Sequence, residues 1–259
     1  MAFPLLRRLL EHPLTADLNL DDPATTDLRK RIISSKPFLR AIYNEWYEKL
    51  STALPVDNGE VLELGSGAGY CQEFVPGLIT SDLIPCRGIR LMADARTLPF
   101  RDNALRGIVF VNVLHHVPEV RQFLREARRC LRPGGSLAMI EPWVSPWSRF
   151  VNTKLHHEPF CPEANGWSFP SSGPLSGANG ALAWMVFKRD RPEFEREFPE
   201  LKIEKIEPFM PFRYLVSGGV GMRSLMPGFL HPLWKGIEKS LTSQMARMAM
   251  FAFIVLRKA

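Results

Sequence analysis

Three glycines at 65, 67 and 69 follow directly on the apolar run VLEL (61–64), and Glu63 lies inside that run. Glycines at 65 and 67 let backbone approach a ligand where a Cβ would collide, and Gly69 eases close packing of a following helix. A dinucleotide fingerprint needs its third glycine at position 70, which is Tyr70, so the spacing is G-x-G-x-G. A carboxylate at Glu63 would repel a pyrophosphate and suits an ammonium-bearing ligand. Asp82, nineteen positions further on, closes the run LITSD (78–82). A carboxylate at the C-terminal edge of a second strand is where a doubly wound sheet grips ribose hydroxyls; the alternative is an exposed turn residue. Asp94-Ala95 closes GIRLMAD (88–94) and precedes Leu98-Pro99-Phe100. There the carboxylate could accept from an adenine amino group between apolar neighbours, or simply cap a turn.

The elements that must position these groups follow from the pattern. VLEL, LITSD, GIRLMAD, GIVFVN (107–112) and Leu137–Glu141 read as five strands, the fourth almost wholly apolar as in a strand covered on both faces. A helix is predicted after the glycine loop, within 61–75. Another spans Glu119–Leu131, with Val120, Phe123, Leu124, Ala127 and Leu131 on one face, before Arg132-Pro133-Gly134-Gly135 stops it. An earlier helix starts at Ser35-Lys36-Pro37 with an apolar stripe of Phe38, Ile42, Trp46 and Leu50. Strands alternating with helices at this pitch predict an α/β fold, a doubly wound, mostly parallel sheet. Later come an acidic helix near Pro192–Phe198, a period-two strand LKIEKIEPF (201–209), a helix Leu233–Ser243 and a closing apolar strand within 248–258.

VLELGSGAG, TSDL, ADARTLPF, VFVNVLHHV and FLREARRCLRPGGSL resemble, in order, the successive motifs of class I S-adenosylmethionine-dependent methyltransferases. They are most similar to the small-molecule branch that includes ubiquinone and menaquinone biosynthesis methyltransferases. The resemblance covers roughly residues 55–142. It implies a Rossmann-like, seven-stranded sheet with an antiparallel last strand, and S-adenosyl-L-methionine as cofactor. On matching positions it implies that Glu63, Gly65, Ser66 and Gly67 contact the methionine moiety, Asp82 and Leu83 the ribose side, and Asp94 with Ala95 the adenine. Asn112 would lie beside the sulfonium. Along the whole chain the expected division is an N-terminal helical segment (1–54), a cofactor-binding core (55–142), an insert or lid (143–190) and a C-terminal completion of the sheet with a helical insertion (191–259).

For such chemistry the acceptor side is thinner. Methyl transfer from a sulfonium is a displacement, so in-line positioning supplies much of the rate. An oxygen or carbon acceptor can also need a base. His115 and His116 follow strand four at the mouth of the expected site, and Glu141 ends strand five on the same edge; each is a candidate base or acceptor clamp, the alternative being local packing. The insert that follows is rich in proline and aromatics. Trp143, Trp147, His156 and His157 are its candidate acceptor-binding residues, beneath a stiffened aromatic lid, although a small satellite core is the expectation for most of its tryptophans. His156-His157-Glu158 has no complete ligand set around it in sequence, so no metal is expected.

The resemblance implies a small-molecule acceptor, and composition argues against nucleic acid as the partner. The chain has 259 residues, 23% charged, with a formal net charge of +6. Beyond Pro142 there are 15 basic and 10 acidic residues, without the dense runs typical of nucleic-acid binding. Asn112-Val113-Leu114-His115 also departs from the Asn/Asp-Pro-Pro-aromatic run of base-modifying amino methylases. Four cysteines (Cys71, Cys86, Cys130, Cys161) form no metal spacing and read as free thiols, and the opening MAFPLLRRLLEHP is no signal h-region, so a cytoplasmic location is expected. Two alternatives stay open: a non-catalytic protein on the same fold, and work on a lipid-linked acceptor at a membrane surface, suggested by residues 215–234.

Overall fold

The computed structural model describes residues 23–154, 158–171, 173 and 177–259. Helix α1 (Pro23–Ser35) runs into α2 (Pro37–Thr52), where Pro37 occupies the first turn and needs no partner for an N–H. Then come β1 (Glu60–Glu63), β2 (Ile79–Asp82), β3 (Leu91–Met92), β4 (Leu105–Val111), α3 (Val120–Cys130) and β5 (Leu131–Pro142). The second half holds α4 (Pro146–Lys154), the short α5 (Leu182–Trp184) continuing as a π-helical turn (Met185–Arg189), and α6 (Arg191–Glu197). It closes with β6 (Leu201–Phe209), α7 (Arg213–Ser217), α8 (His231–Ser240), α9 (Met245–Met248) and β7 (Phe251–Lys258). Among the described residues no helix is long and apolar enough to cross a membrane.

One seven-stranded sheet has the order β3-β2-β1-β4-β5-β7-β6. The first five strands pair in parallel; β7 runs antiparallel to both β5 and β6. The expected Rossmann-like sheet with its antiparallel last strand is therefore present. The order reverses between β1 and β4, and the carboxyl ends of such a pair form the crevice where open α/β sheets bind ligands. Glu63 ends β1 there, and Asn112 follows β4.

Alternation along each strand supplies two cores. Leu62, Ile108, Phe110, Leu137 and Met139 face α3 and the 181–198 helices. Val61, Val109, Ala138 and Ile140 face α2, whose Phe38, Ile42, Trp46 and Leu50 are all fully buried. The helix predicted after the glycine loop is a single 3-10 turn, Cys71–Glu73. Pro76 and Gly77 (φ +73°) close that segment so soon that no regular helix can be completed. The sheet face a crossover helix would cover is taken by α2 instead. The third strand also contracts, from the predicted 88–94 to two residues, because Gly88 (φ +87°) turns on one side and Asp94 folds onto Arg96 on the other. The fifth strand starts earlier than predicted, with a register shift against β4.

Candidate active site

The glycine loop is stitched to β2 by backbone and hydroxyl bonds. The Ser66 amide donates to the Ser81 carbonyl at 2.8 Å, and the Ser66 hydroxyl accepts from the Ser81 amide at 3.0 Å. Gly65 sits at φ +64°, and a Cβ there would lie 2.5 Å from Cγ2 of Val113, so glycine is required both by conformation and by the approach of the β4 loop. A Cβ on Gly67 would lie 2.9 Å from Oδ2 of Asp82 and 2.5 Å from Cγ2 of Thr26. The loop is thus pressed between β2 and α1.

Glu63 is buried, and among the described residues its Oε2 has no hydrogen-bond partner. Burial pushes its carboxyl up to about 7, reinforced by the Asp82 charge and opposed by the Ser66 hydroxyl and by Lys30 of α1. Asn112 adopts a left-handed conformation (φ +56°), which asparagine tolerates better than most residues, and its amide donates to the Ile140 carbonyl at 2.9 Å. Its Oδ1 is likewise buried without a partner among the described residues. Two orphaned acceptors at the ends of neighbouring strands carry a desolvation cost that a donor-bearing ligand would relieve.

Asp82 accepts from the amides of Gly67 (3.0 Å) and Ile84 (3.1 Å), and a carboxylate has lone pairs to spare for two hydroxyls. Leu83 beside it is exposed. Asp94 is more committed: it pairs with the Arg96 guanidinium at 2.6 Å and accepts from the Arg96 amide at 2.8 Å. The Arg96 hydrogen bonds hold its carboxyl below the usual range. Ala95 lies in the same turn, packed against the core that holds Leu98 and Phe100.

Past Asn112 the chain makes a 3-10 turn, Leu114–His116. Glu141 at the end of β5 is completely buried beneath it. Its Oε1 accepts from the Val113 and Leu114 amides (2.6 and 2.8 Å), and its Oε2 lies 2.7 Å from Nδ1 of His115. Nε2 of His115 points to Glu158, 3.7 Å away. Burial works against a proton on His115, but the Glu141 and Glu158 charges outweigh it and raise its pKa. The His116 ring, 4.2 Å from that of His115, is pushed down to about 4 by burial and by His115.

The described residues of the insert are anchored to the rest of the fold. Trp143 is buried in the core, and Trp167 is sandwiched there, its indole N–H donating to Asp190 (2.8 Å) with the Arg121 guanidinium 4.2 Å from its ring centre. The Trp147 indole donates to the Pro211 carbonyl (2.9 Å) and stacks on Phe150. His156 and His157 lie outside the described residues.

Several residues around the site were not singled out in the sequence. Thr26 and Lys30, one helical turn apart on α1, lie against the glycine loop and near Glu63. A cavity of about 10 Å³ remains beside them, lined by Lys30, Ser66, Gly67, Gln72 and Arg87 among others. The early helix expected from the sequence starts at Ser35, so no local signal placed Thr26 and Lys30 on a helix; the structure places them on Pro23–Ser35. Tyr47 lies with its hydroxyl 3.4 Å from the Tyr70 amide, against Gly69.

Comparison with known proteins agrees with this architecture. Residues 76–139 match the family described as "Methyltransferase domain". A 67-residue stretch is 36% identical to the demethylmenaquinone methyltransferase of Listeria welshimeri, covering 25% of this chain and 28% of that protein. A 55-residue stretch is 47% identical to an uncharacterized 37.1 kDa protein in transposon TN4556 of Streptomyces fradiae, covering 21% and 16%. The matches therefore span less than a third of these curated relatives. Among solved structures, geranyl diphosphate C-methyltransferase from Streptomyces coelicolor A3(2) aligns over 96% of this chain and 92% of its own, with a TM-score of 0.52 and 14% identity. The methyltransferase bound to the Haloferax volcanii Trm112 activator aligns over 90% and 97%, with a TM-score of 0.51 and 13% identity. At such identities the structural likeness speaks for the fold alone. Strand order and glycine loop are those of a Rossmann-like fold, and within it residues 76–139 are similar to the methyltransferase-domain family.

Proposed function

We propose that this protein transfers the methyl group of S-adenosyl-L-methionine to an oxygen or carbon atom of a small-molecule acceptor. The observation that carries this reading is the pair of orphaned buried acceptors, Glu63 Oε2 and Asn112 Oδ1, at the crevice where the strand order reverses. Glu63 would take the ammonium of the methionine moiety, with the Gly65-Ser66-Gly67 backbone beneath it. Asp82 would hold the ribose diol and Leu83 would flank it. Ala95 and Asp94 would border the adenine, Asp94 with less capacity because Arg96 already occupies it. When bound, the cofactor supplies an electrophilic methyl on a sulfonium.

The protein's own contribution is alignment. Val113 packs against Gly65, so the turn carrying His115 and His116 is fixed relative to the glycine loop. Glu141 spends its oxygens on that turn and on His115, which makes it a positioning residue. His116 and His115 are then the groups offered to the acceptor. Trp143 and Trp147 would hold the insert over it, with His156 and His157 as further acceptor-side candidates. The test is a mass search for a one-methyl gain among host-extract metabolites incubated with protein and cofactor. No gain in any metabolite, with the cofactor bound, would favour the non-catalytic alternative.

A second reading places the acceptor at a lipid surface. Leu225, Phe229, Leu233 and Ile237 are exposed large apolar residues within thirteen positions, Phe229 at 79%. In residues 211–248 the one acidic residue, Glu238, is buried, while Arg223, Lys235, Lys239 and Arg247 carry positive charge. Such a surface suits anionic lipid. Sedimentation with anionic but not neutral vesicles, lost in the Phe229→Glu/Leu233→Glu variant, supports it; failure to sediment at low salt removes it.

A further inference from the structure

Two elements far apart in sequence converge at the turn after β4. His115, His116 and Glu158 each place one ligand-capable atom within 4.8 Å of the others. We propose that these three residues form a binding site for one divalent transition metal ion, with zinc the best match to a two-imidazole, one-carboxylate set. In sequence, Glu158 stood beside His156 and His157 with no complete set around it. The fold supplies the missing imidazoles from the other side.

The tautomers favour metal binding. Nδ1 of His116 lies 3.1 Å from the Gly177 carbonyl, which can only accept, so Nδ1 carries the proton and Nε2 the lone pair. Nδ1 of His115 is turned to Glu141 at 2.7 Å, leaving Nε2 toward Glu158. Imidazoles that ligate metals commonly donate their other N–H to a carboxylate or a backbone carbonyl, and here one of each is in place. Glu141 is itself held by the Val113 and Leu114 amides, so the outer shell is rigid. The insert is locked to the same turn. The Asn179 amide donates to the His115 carbonyl at 2.9 Å, and its side chain bonds both the Cys161 amide and the Cys161 carbonyl, three residues beyond Glu158. A tetrahedral zinc site with ligand bonds of about 2.0–2.1 Å brings its donor atoms to roughly 3.4 Å of one another. The 3.7 Å between His115 Nε2 and Glu158 Oε2 is close to that, and the other pairs, all within 4.8 Å, need to close by at most about 1.4 Å.

Three protein ligands leave a fourth position open, as in catalytic rather than structural zinc sites. Its meaning for catalysis rests on the proposed methyl transfer. An acceptor hydroxyl bound there would lose its proton to solvent more readily. The resulting oxygen would form the O–CH3 bond as the S–CH3 bond breaks, its electron pair staying on sulfur. Metal binding itself does not depend on that reading.

The experiment is calorimetric titration of the chelator-stripped full chain with zinc, in the absence of cofactor and acceptor, with cobalt substitution to read the ligand field. One saturable equivalent and tetrahedral cobalt absorption are expected. Binding should weaken at least tenfold in His116→Ala and in Glu158→Gln, and by about 10–100-fold in Glu141→Gln, whose change lies outside the ligand set. Absence of saturable binding overturns the proposal. So does unchanged affinity in His116→Ala and Glu158→Gln, or loss of binding only in a His156→Ala/His157→Ala variant. Methyl transfer that persists after chelation, alongside intact zinc binding, leaves the site and removes only its catalytic meaning.

Discussion

The Gly67 amide donates to Oδ2 of Asp82 at 3.0 Å, and with the Ile84 amide on Oδ1 at 3.1 Å the carboxylate at the end of β2 is fixed by backbone at both oxygens. A group so held braces the glycine loop, and it would meet the proposed ribose diol without rearranging. Asp82→Ala is therefore expected to weaken S-adenosylmethionine binding at least tenfold, about 1.4 kcal/mol. Calorimetry with unchanged affinity would remove the ribose assignment.

The proposed contact of Glu63 with the cofactor's ammonium would give binding a pH dependence. Burial pushes the Glu63 carboxyl up to about 7, and only the ionised form attracts an ammonium. Affinity should fall as pH drops below 7, by up to about tenfold per unit, and Glu63→Gln should flatten the profile. The stability linkage has the opposite sign. A folded pKa raised above the ordinary 4.5 contributes stability that is complete below pH 4.5 and is lost as pH rises through 7. Denaturant titrations of Glu63→Gln should lack that loss.

Beneath the C-terminal segment, Arg213 bonds Glu45 (2.7 Å) and Glu238 (2.5 Å), with both the arginine and Glu238 buried. Removing the guanidinium leaves the buried Glu238 without its cation and Glu45 with Lys235 alone (3.1 Å), so Arg213→Met should cost about 3–5 kcal/mol in urea unfolding. Burial opposes ionisation of Glu45, but Arg213 and Lys235 bring its carboxyl down to about 2. Because this folded pKa is depressed, the stability is present above pH 4.5 and lost as pH falls toward 2. Arg213→Met should lose most of that acid sensitivity.

His116→Ala should slow methyl transfer while leaving cofactor affinity within about twofold, since its ring bonds the insert at Gly177 and not the glycine loop. Equal loss of both would mark a structural role.

Legibility differed between parts of the chain for physical reasons. The parallel strands, the glycine loop and α3 announce themselves because apolar periodicity and turn residues are local signals, and Glu63, Asp82 and Asn112 fall at strand ends that such signals locate. The helix expected after the glycine loop failed because a proline and a glycine soon afterwards left it no length. The insert's tryptophans look alike in sequence, yet Trp167 is buried against Asp190 and Arg121, contacts 23 and 46 positions away. Likewise, nothing local to Glu158 points to His115. Long-range convergence of this kind has no period to read.

The substitution of α2 for a crossover helix bears on how this chain can be divided. The family match begins at residue 76 and ends at 139, yet Val109, Ala138 and Ile140 inside it bury one face against Phe38, Ile42, Trp46 and Leu50. A fragment trimmed to the recognisable motif would expose that whole face to water, an aggregation-prone sheet surface with no helix of its own to cover it. The part of this chain most readily recognised is thus not a part that could fold by itself. Two of the supports it would lack lie upstream: α2 (Pro37–Thr52), which covers that face, and β1 (Glu60–Glu63), the strand that joins β2 to β4.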